Sequence, residues 1–394
     1  MPNFARFGFV ISVLVSACAS DTDGPRTGID ASIPDGGAID LAVAPDGAAM
    51  DLVTAEDAAV VPDLGTDSGV DASAVDSAVS PCGECPRGYT CGTANGIAVC
   101  RSPSGIPLFS HIFVFVMENT TRDRLESSGA APYLASLEAS GASSSNYHGT
   151  DHPSLPNYIA MTSGIDTSGI GCDCNPTGSE CNALTCNAIL HSCGCPQDVP
   201  HLGDQLDARS LSWRNYGEDM GSACNVSGSG DYAPKHVPFL YYPSVQTDAA
   251  RCAAHVVDYS EFAADLASSP MVFSLIAPNL VHDMHDPFPA GDTNITNGDS
   301  WLEAELADIL ASPAYTDRGV IMLVWDEDDL SGALAADDPI PFYLLSPLAK
   351  HGGYVSDVHA DHLALLATWE DGLALPRLAT TTSATPMADF FPAD

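Results

Sequence analysis

Two short apolar runs constrain this chain more than anything else in it: 112–117 (IFVFVM) and 319–325 (GVIMLVW). Runs of β-branched and aromatic residues without polar alternation read as strands covered on both faces, the pattern of a parallel sheet. Each stops abruptly, the first at Glu118-Asn119 and the second at Asp326-Glu327-Asp328-Asp329. An acidic turn is the plain reading of the second cluster. The sharpness of the change counts against it, because four carboxylates at the tip of a buried strand repel one another unless a positive charge lies among them. Carboxylate and amide oxygens suit a hard divalent metal ion. Ligands of open α/β sheets bind beyond the carboxyl ends of the strands, so the two clusters are expected to share a crevice. Further strands are predicted at 213–216, 271–277 and 340–346, with helices at 131–139, 199–208, 259–267, 300–311 and 361–372. That alternation is the α/β signature.

A third stretch, 150–164 (TDHPSLPNYIAMTSG), carries a candidate nucleophile. Pro153 and Pro156 bracket Ser154 and hold the chain extended or turned there. From Asn157 the sequence suits a short apolar helix that Gly164 ends. Ser154 then lies near a helix N-terminus, where unpaired N–H groups favour an anion. A hydroxyl so placed can attack phosphorus while those N–H groups hold the oxygens that gain charge. A proline-rich loop leading into a core helix fits the same residues.

Charge narrows the possibilities. The net charge is −39, which excludes a nucleic-acid binder by bulk electrostatics. Lys235 and Lys350 are the only lysines, so a phosphate site must rely on a cation, helix-end N–H groups and protonated histidines. Histidines gather at His148 and His152, at His236, at His282 and His285, and at His359 and His362. The run His282-Asp-Met-His285-Asp is the strongest, since paired imidazoles and carboxylates suit general acid work or metal ligation.

The 13 cysteines take their meaning from the N-terminus. Arg6 precedes an apolar run at 7–15, too short to span a bilayer, which leads into Val15-Ser-Ala-Cys18. This resembles a lipoprotein signal over 1–18, with Cys18 lipidated; an ordinary secretory signal is the alternative, and export follows from either. Residues 19–80 hold thirteen acidic residues, one basic residue and no aromatic, the composition of a disordered acidic linker. Cys82, Cys85, Cys91 and Cys100 then form a small disulfide-rich module over 81–102. The catalytic body is expected over 106–394. It contains a six-cysteine segment, 172–195, together with Cys224 and Cys252, enough for four more disulfides.

Seven motifs in order carry a family resemblance: Met117-Glu118-Asn119; His152-Pro-Ser154-x-Pro156-Asn157-Tyr158; Lys235-His236-Val-Pro238-Phe239; Pro278-Asn279 with Asp283-Met-His285-Asp286; Gly298-Asp299-Ser-Trp301-Leu302; Trp325-Asp326-Glu327-Asp328-Asp329; and His362-x-x-Leu365-Leu366-x-Thr-x-Glu370-Asp371. Together they resemble the bacterial phosphoesterase family of the alkaline-phosphatase superfamily, which holds acid phosphatases, phosphatidylinositol-3-phosphate phosphatases and phospholipases C. The resemblance implies an α/β fold, a mostly parallel sheet with helices on both faces. It implies one divalent metal held by Glu118, Asn119, Asp326 and Glu327, with Ser154 as nucleophile beside it. His236, His285 and His362 match family histidines that hold phosphate or protonate the leaving group, with His285 and His362 taken as catalytic. His152, Asn157, His236 and Asp283 are expected to bind substrate, a small phosphomonoester or a phospholipid head group. No nucleic acid is implied, and a membrane only through the lipid anchor. The alternatives are a phospholipase C or other phosphodiesterase on the same fold, and a surface binding protein with a degenerate site. The family often has Glu where Met117 stands, and the 172–195 segment departs from its pattern.

Overall fold

The computed structural model describes residues 80–168, 170–178, 195–285, 292–329 and 337–393. The expected signal, the expected linker up to residue 79, Asp286 and Cys181, Cys186 and Cys193 lie outside the described residues. Strands are β1 Thr90–Ala94, β2 Ile97–Arg101, β3 Ile112–Met117, β4 Ala142–Ser144, β5 Tyr147–His148 and β6 Trp213–Gly217, followed by β7 Val256–Asp258, β8 Phe273–Ala277, β9 Val320–Trp325, β10 Phe342–Leu345, β11 Tyr354–Ser356 and β12 Ala360–Asp361. Eight of them form one sheet in the order β11-β4-β10-β9-β3-β8-β6-β7. The apolar runs are β3 and β9, and they are parallel neighbours with Ile112 opposite Val320 and Met117 opposite Trp325. Strand β8 pairs parallel to the other side of β3, and β6 and β7 continue in that sense. Only β10 is reversed; it runs antiparallel to both β9 and β4.

Every residue of β3 and β9 is buried, because helices cover both faces. Phe113 and Phe115 point to one face, where Phe262 and Trp301 meet them edge-on with ring centroids 6.2 and 5.7 Å away. The other face carries Phe273 and Met322. Trp369 covers it, its ring 5.2 Å from that of Phe273 and its indole N–H 3.1 Å from the Met322 sulfur. Trp301 belongs to the helix Thr293–Ala311 and Trp369 to the helix His362–Gly372.

The helix after the two prolines starts earlier than the sequence suggested. It spans Ser154–Ser163, so Ser154 is its first residue and Pro156 lies inside its first turn. Proline is tolerated there because its missing N–H has no intrahelical acceptor. Gly164 closes the helix at φ 68°, and a Cβ at that position would lie 2.9 Å from Thr381.

The cysteine-rich hairpin β1–β2 carries the disulfides Cys82–Cys91 and Cys85–Cys100. It is bonded onto the body: the Tyr89 hydroxyl donates to the Asp371 carbonyl at 2.7 Å and Arg101 to the Pro392 carbonyl at 2.7 Å. Further disulfides join Cys174 to Cys195 and Cys224 to Cys252, and Cys172 is also disulfide-bonded. These bonds mark an oxidising compartment. Among the described residues no helix is long and apolar enough to cross a membrane.

One buried carboxyl outside the strand tips sets a pH dependence on stability. Glu370 is fully buried; it accepts from the Leu378 N–H at 2.6 Å and the Thr381 hydroxyl at 2.8 Å. Burial pushes its pKa from 4.5 up to about 7. The folded state therefore keeps a proton that the unfolded chain has released, and stability falls as pH rises through that window. Glu370→Gln is expected to remove about 3 kcal/mol of this decline. Urea unfolding of both proteins at several pH values checks it: parallel pH profiles would show that Glu370 does not titrate there.

Candidate active site

Strands β3 and β9 end side by side, and their next residues turn into one buried cluster. The Asn119 N–H donates to Asp326 Oδ1 at 3.0 Å, tying the two tips together. The loop after β8 joins them, because the Glu118 N–H donates to the Asp283 carbonyl at 2.7 Å and the Thr120 hydroxyl to the Met284 carbonyl at 2.9 Å. Backbone strain accompanies this crossing, with Asn119 at φ 41° and Met284 at φ 69°. Gly298 lets the long helix close on the loop, since a Cβ there would lie 2.6 Å from the His282 carbonyl oxygen.

Ser154 is brought into this cluster by its helix. It is 1% exposed, and its hydroxyl lies 2.8 Å from Glu118 Oε1 and 3.2 Å from Glu327 Oε1. His236 Nε2 lies 2.5 Å from the same Glu118 oxygen, with its ring stacked on Tyr158 at 5.4 Å. Lys235 Nζ is 3.0 Å from Glu118 and 3.4 Å from the Ser154 hydroxyl. His152 Nδ1 bonds Glu327, and its Nε2 is 3.5 Å from Asp328. Asp283 is buried and accepts from the His285 N–H at 2.9 Å. His285 is half-buried, near enough for its charge to act on Glu118.

The electrostatics are dominated by crowded acids. Burial raises the Glu118 pKa, but His236 and Lys235 outweigh it and hold the carboxyl well below the usual range. Asp326 is pushed well up by burial and by the charges of Glu327 and Glu118. Asp283 is raised by burial and Glu118, and Glu327 by burial despite His152. For His152, burial works downward, yet the bond to Glu327 and the acidic neighbours raise its pKa.

These residues fit a divalent cation. Glu118 Oε2, Asn119 Oδ1, Asp283 Oδ2 and Asp326 Oδ2 are buried oxygens with no hydrogen-bond donor among the described residues. Buried acceptors left so are costly, and a hard cation satisfies several at once. Glu118, His236 and Asp283 also offer ligand atoms all within 4.8 Å of one another. His236 and Asp283, expected as substrate binders, thus share the composition of a metal site.

Two expected residues take other places. His362 is fully buried; its Nδ1 faces the Tyr147 hydroxyl at 2.9 Å and its Nε2 the Asp326 carbonyl at 2.6 Å. Burial lowers its pKa to about 4. Both nitrogens are engaged inside the fold, where His362 braces the β9 tip. Asn157 is likewise spent on the loop before Ser154. Its Oδ1 accepts from the Thr150 and Asp151 N–H groups at 2.8 and 3.1 Å, and its Nδ2 donates to the Asp151 carbonyl at 2.7 Å. It shapes the approach to the helix and leaves no group for substrate.

Sequence reasoning gave no role to Lys235 or Asp173, yet Lys235 lies 3.4 Å from the Ser154 hydroxyl and Asp173 accepts from the N–H of the next residue, Leu155. Lys235 lies within a quoted motif and is one of two lysines, a signal that was available. Asp173 comes from the cysteine-rich segment, and nothing in its sequence context marked it.

The phosphoesterase family model matches residues 126–376. A phosphatidylinositol-3-phosphatase of Mycobacterium tuberculosis (strain ATCC 25618 / H37Rv) is 28% identical over 291 residues, covering 73% of this chain and 85% of that protein. A phosphate-repressible acid phosphatase of Penicillium chrysogenum is 28% identical over 253 residues, covering 62% of this chain and 55% of that protein. Among solved structures, a Vibrio parahaemolyticus protein of the alkaline phosphatase superfamily matches with a TM-score of 0.48 at 11% identity, over 75% of this chain and 72% of that one. The chain belongs to the phosphoesterase family and is a phosphoric ester hydrolase.

Proposed function

We propose that this protein hydrolyses phosphate monoesters with Ser154 as nucleophile beside one divalent cation. The carrying observation is the Ser154 hydroxyl, buried at a helix N-terminus and 2.8 Å from Glu118, amid acceptor oxygens with no donors among the described residues. Glu118, Asn119, Asp326 and Glu327 would hold the cation, with Asp283 and His236 adjoining. When bound, it favours the ionised serine and screens the phosphoryl oxygens.

The chain's own groups do the rest. Lys235 holds a phosphoryl oxygen and lowers the cost of the serine oxyanion. The ionised Ser154 oxygen, its proton released to water, forms its bond to phosphorus as the bond to the alcohol breaks. His152 supplies the alcohol's proton, because its side chain is 38% exposed and its pKa is raised. Water then attacks the phosphoserine; His152 takes back a proton, and the phosphate leaves. His285, half-buried at the same mouth, orients the ester. His362 fixes the Asp326 backbone on which the cluster depends.

The substrate class is a small phosphomonoester or a phospholipid head group, a choice supported by the names of the mycobacterial and fungal relatives. Lipidation at Cys18 would hold the enzyme outside the cytoplasm on a membrane surface. The test compares an aryl monoester, a phosphoinositide monoester and a bis-aryl diester. Monoester turnover is expected to exceed diester turnover by about a hundredfold or more. Faster cleavage of the diester would replace this reading with a phosphodiesterase.

A further inference from the structure

The donors beside Ser154 are already engaged by a carboxylate from outside the strand tips. Asp173 Oδ1 accepts from the Leu155 N–H at 2.9 Å, and Asp173 Oδ2 pairs with Lys235 Nζ at 3.0 Å. Leu155 N–H is the helix-end donor next to the serine, and Lys235 Nζ lies 3.4 Å from its hydroxyl. An N–H and an ammonium flanking a nucleophile are the groups that a phosphoryl oxygen pair requires. A planar carboxylate with two charged oxygens satisfies both in the same way.

We propose that Asp173 is a built-in competitor for the phosphate-binding donors and sets the substrate affinity of this enzyme. The inference rests on the serine-centred reading above. The segment that carries Asp173 is pinned on both sides of it. Cys172 and Cys174 are both disulfide-bonded, the latter to Cys195, and the Tyr241 hydroxyl donates to the Cys174 carbonyl at 2.6 Å. Gln246 adds a bond to the Pro176 carbonyl at 2.8 Å. The backbone therefore stays in place while the side chain, 26% exposed, has an exit to water. Arriving phosphate displaces the carboxylate from Lys235 and Leu155, and its departure lets the carboxylate return.

The experiment uses the full chain and its Asp173→Asn and Asp173→Ala variants, with aryl phosphate turnover and calorimetric binding of inorganic phosphate. Both variants are expected to lower KM and tighten phosphate binding by about tenfold, with kcat changing less than KM. Asp173→Asn retains an acceptor for the Leu155 N–H, so a purely structural cap would leave it like wild type while Asp173→Ala lost thermal stability. Turnover with equal KM and equal phosphate affinity in all three proteins overturns the inference alone. A rise in KM also overturns it, since Asp173 would then be steering Lys235 toward substrate. Tighter phosphate binding without turnover would sustain the competition by Asp173 and remove the catalytic reading.

Discussion

Ser154→Ala is expected to lower kcat/KM for an aryl phosphate by roughly 10⁴-fold, with thermal stability nearly unchanged. The reason is local. The side chain is buried in its helix's first turn, and the hydroxyl is its sole attachment to the Glu118 and Glu327 oxygens at 2.8 and 3.2 Å. Removing it leaves the helix, the Leu155 N–H bond and the carboxylate cluster in place. A neutral donor is lost from between acids, which costs about 1 kcal/mol. Stopped-flow phosphate release distinguishes the outcomes. If the variant turned over at a tenth of the wild-type rate, water would be attacking phosphorus directly, and the serine would be a hydrogen-bonding accessory.

Stripping divalent cations with a chelator is expected to cut turnover by at least about a hundredfold and lower the unfolding temperature, both restored by adding back one metal. Crowding is the physical cause: Asp326 and Asp283 are held above their ordinary pKa by burial and by Glu118, so the bare cluster opposes folding near neutrality. A cation present at a thousand times its dissociation constant adds about 4 kcal/mol of stability. Asp326→Asn supplies an independent readout. Its Oδ1 still accepts from Asn119 and Glu327, as Asp326 does at 3.0 and 2.7 Å, yet one charge is gone. That variant should melt higher than wild type in chelator and gain little on metal addition. Identical melting curves in chelator and in every metal, with turnover intact, would dispose of the metal altogether.

How much of this was legible beforehand follows from the length scale of each signal. The six residues of each of β3 and β9 carry their own pattern, because burial on both faces forbids polar alternation, and their carboxylate tips meet because neighbouring parallel strands end together. Reversal of β10 leaves no such trace, since pairing direction is decided by a connection and not by side chains. The helix at Ser154 begins three residues before the sequence signals it, because Pro156 resembles a breaker unless its place in the first turn is known. Short elements such as β4, β5 and β12 have too few residues to show a period. The gathering of Glu118, Ser154, Asp326 and Glu327 is legible through strand tips and a helix start. The inward bonds of His362 and Asn157 leave no trace in sequence, because a histidine or asparagine bonded within the fold has the same letter as one facing a ligand. Asp173 meets the Leu155 N–H and Lys235 from a disulfide-pinned insertion, and that proximity is wholly tertiary.

The seam between the cysteine-rich hairpin and the body bears on how this enzyme can be handled. Val99 and Ala94 are almost wholly covered, and Arg101 reaches across to the chain's last residues at Pro392. A truncated chain beginning at Ile106 would strip Tyr89 from the Asp371 carbonyl and open the end of the helix His362–Gly372, the same helix whose first residue steadies Asp326. Trimming what resembles a dispensable N-terminal knob would thus loosen the acid tip from the far end of its support.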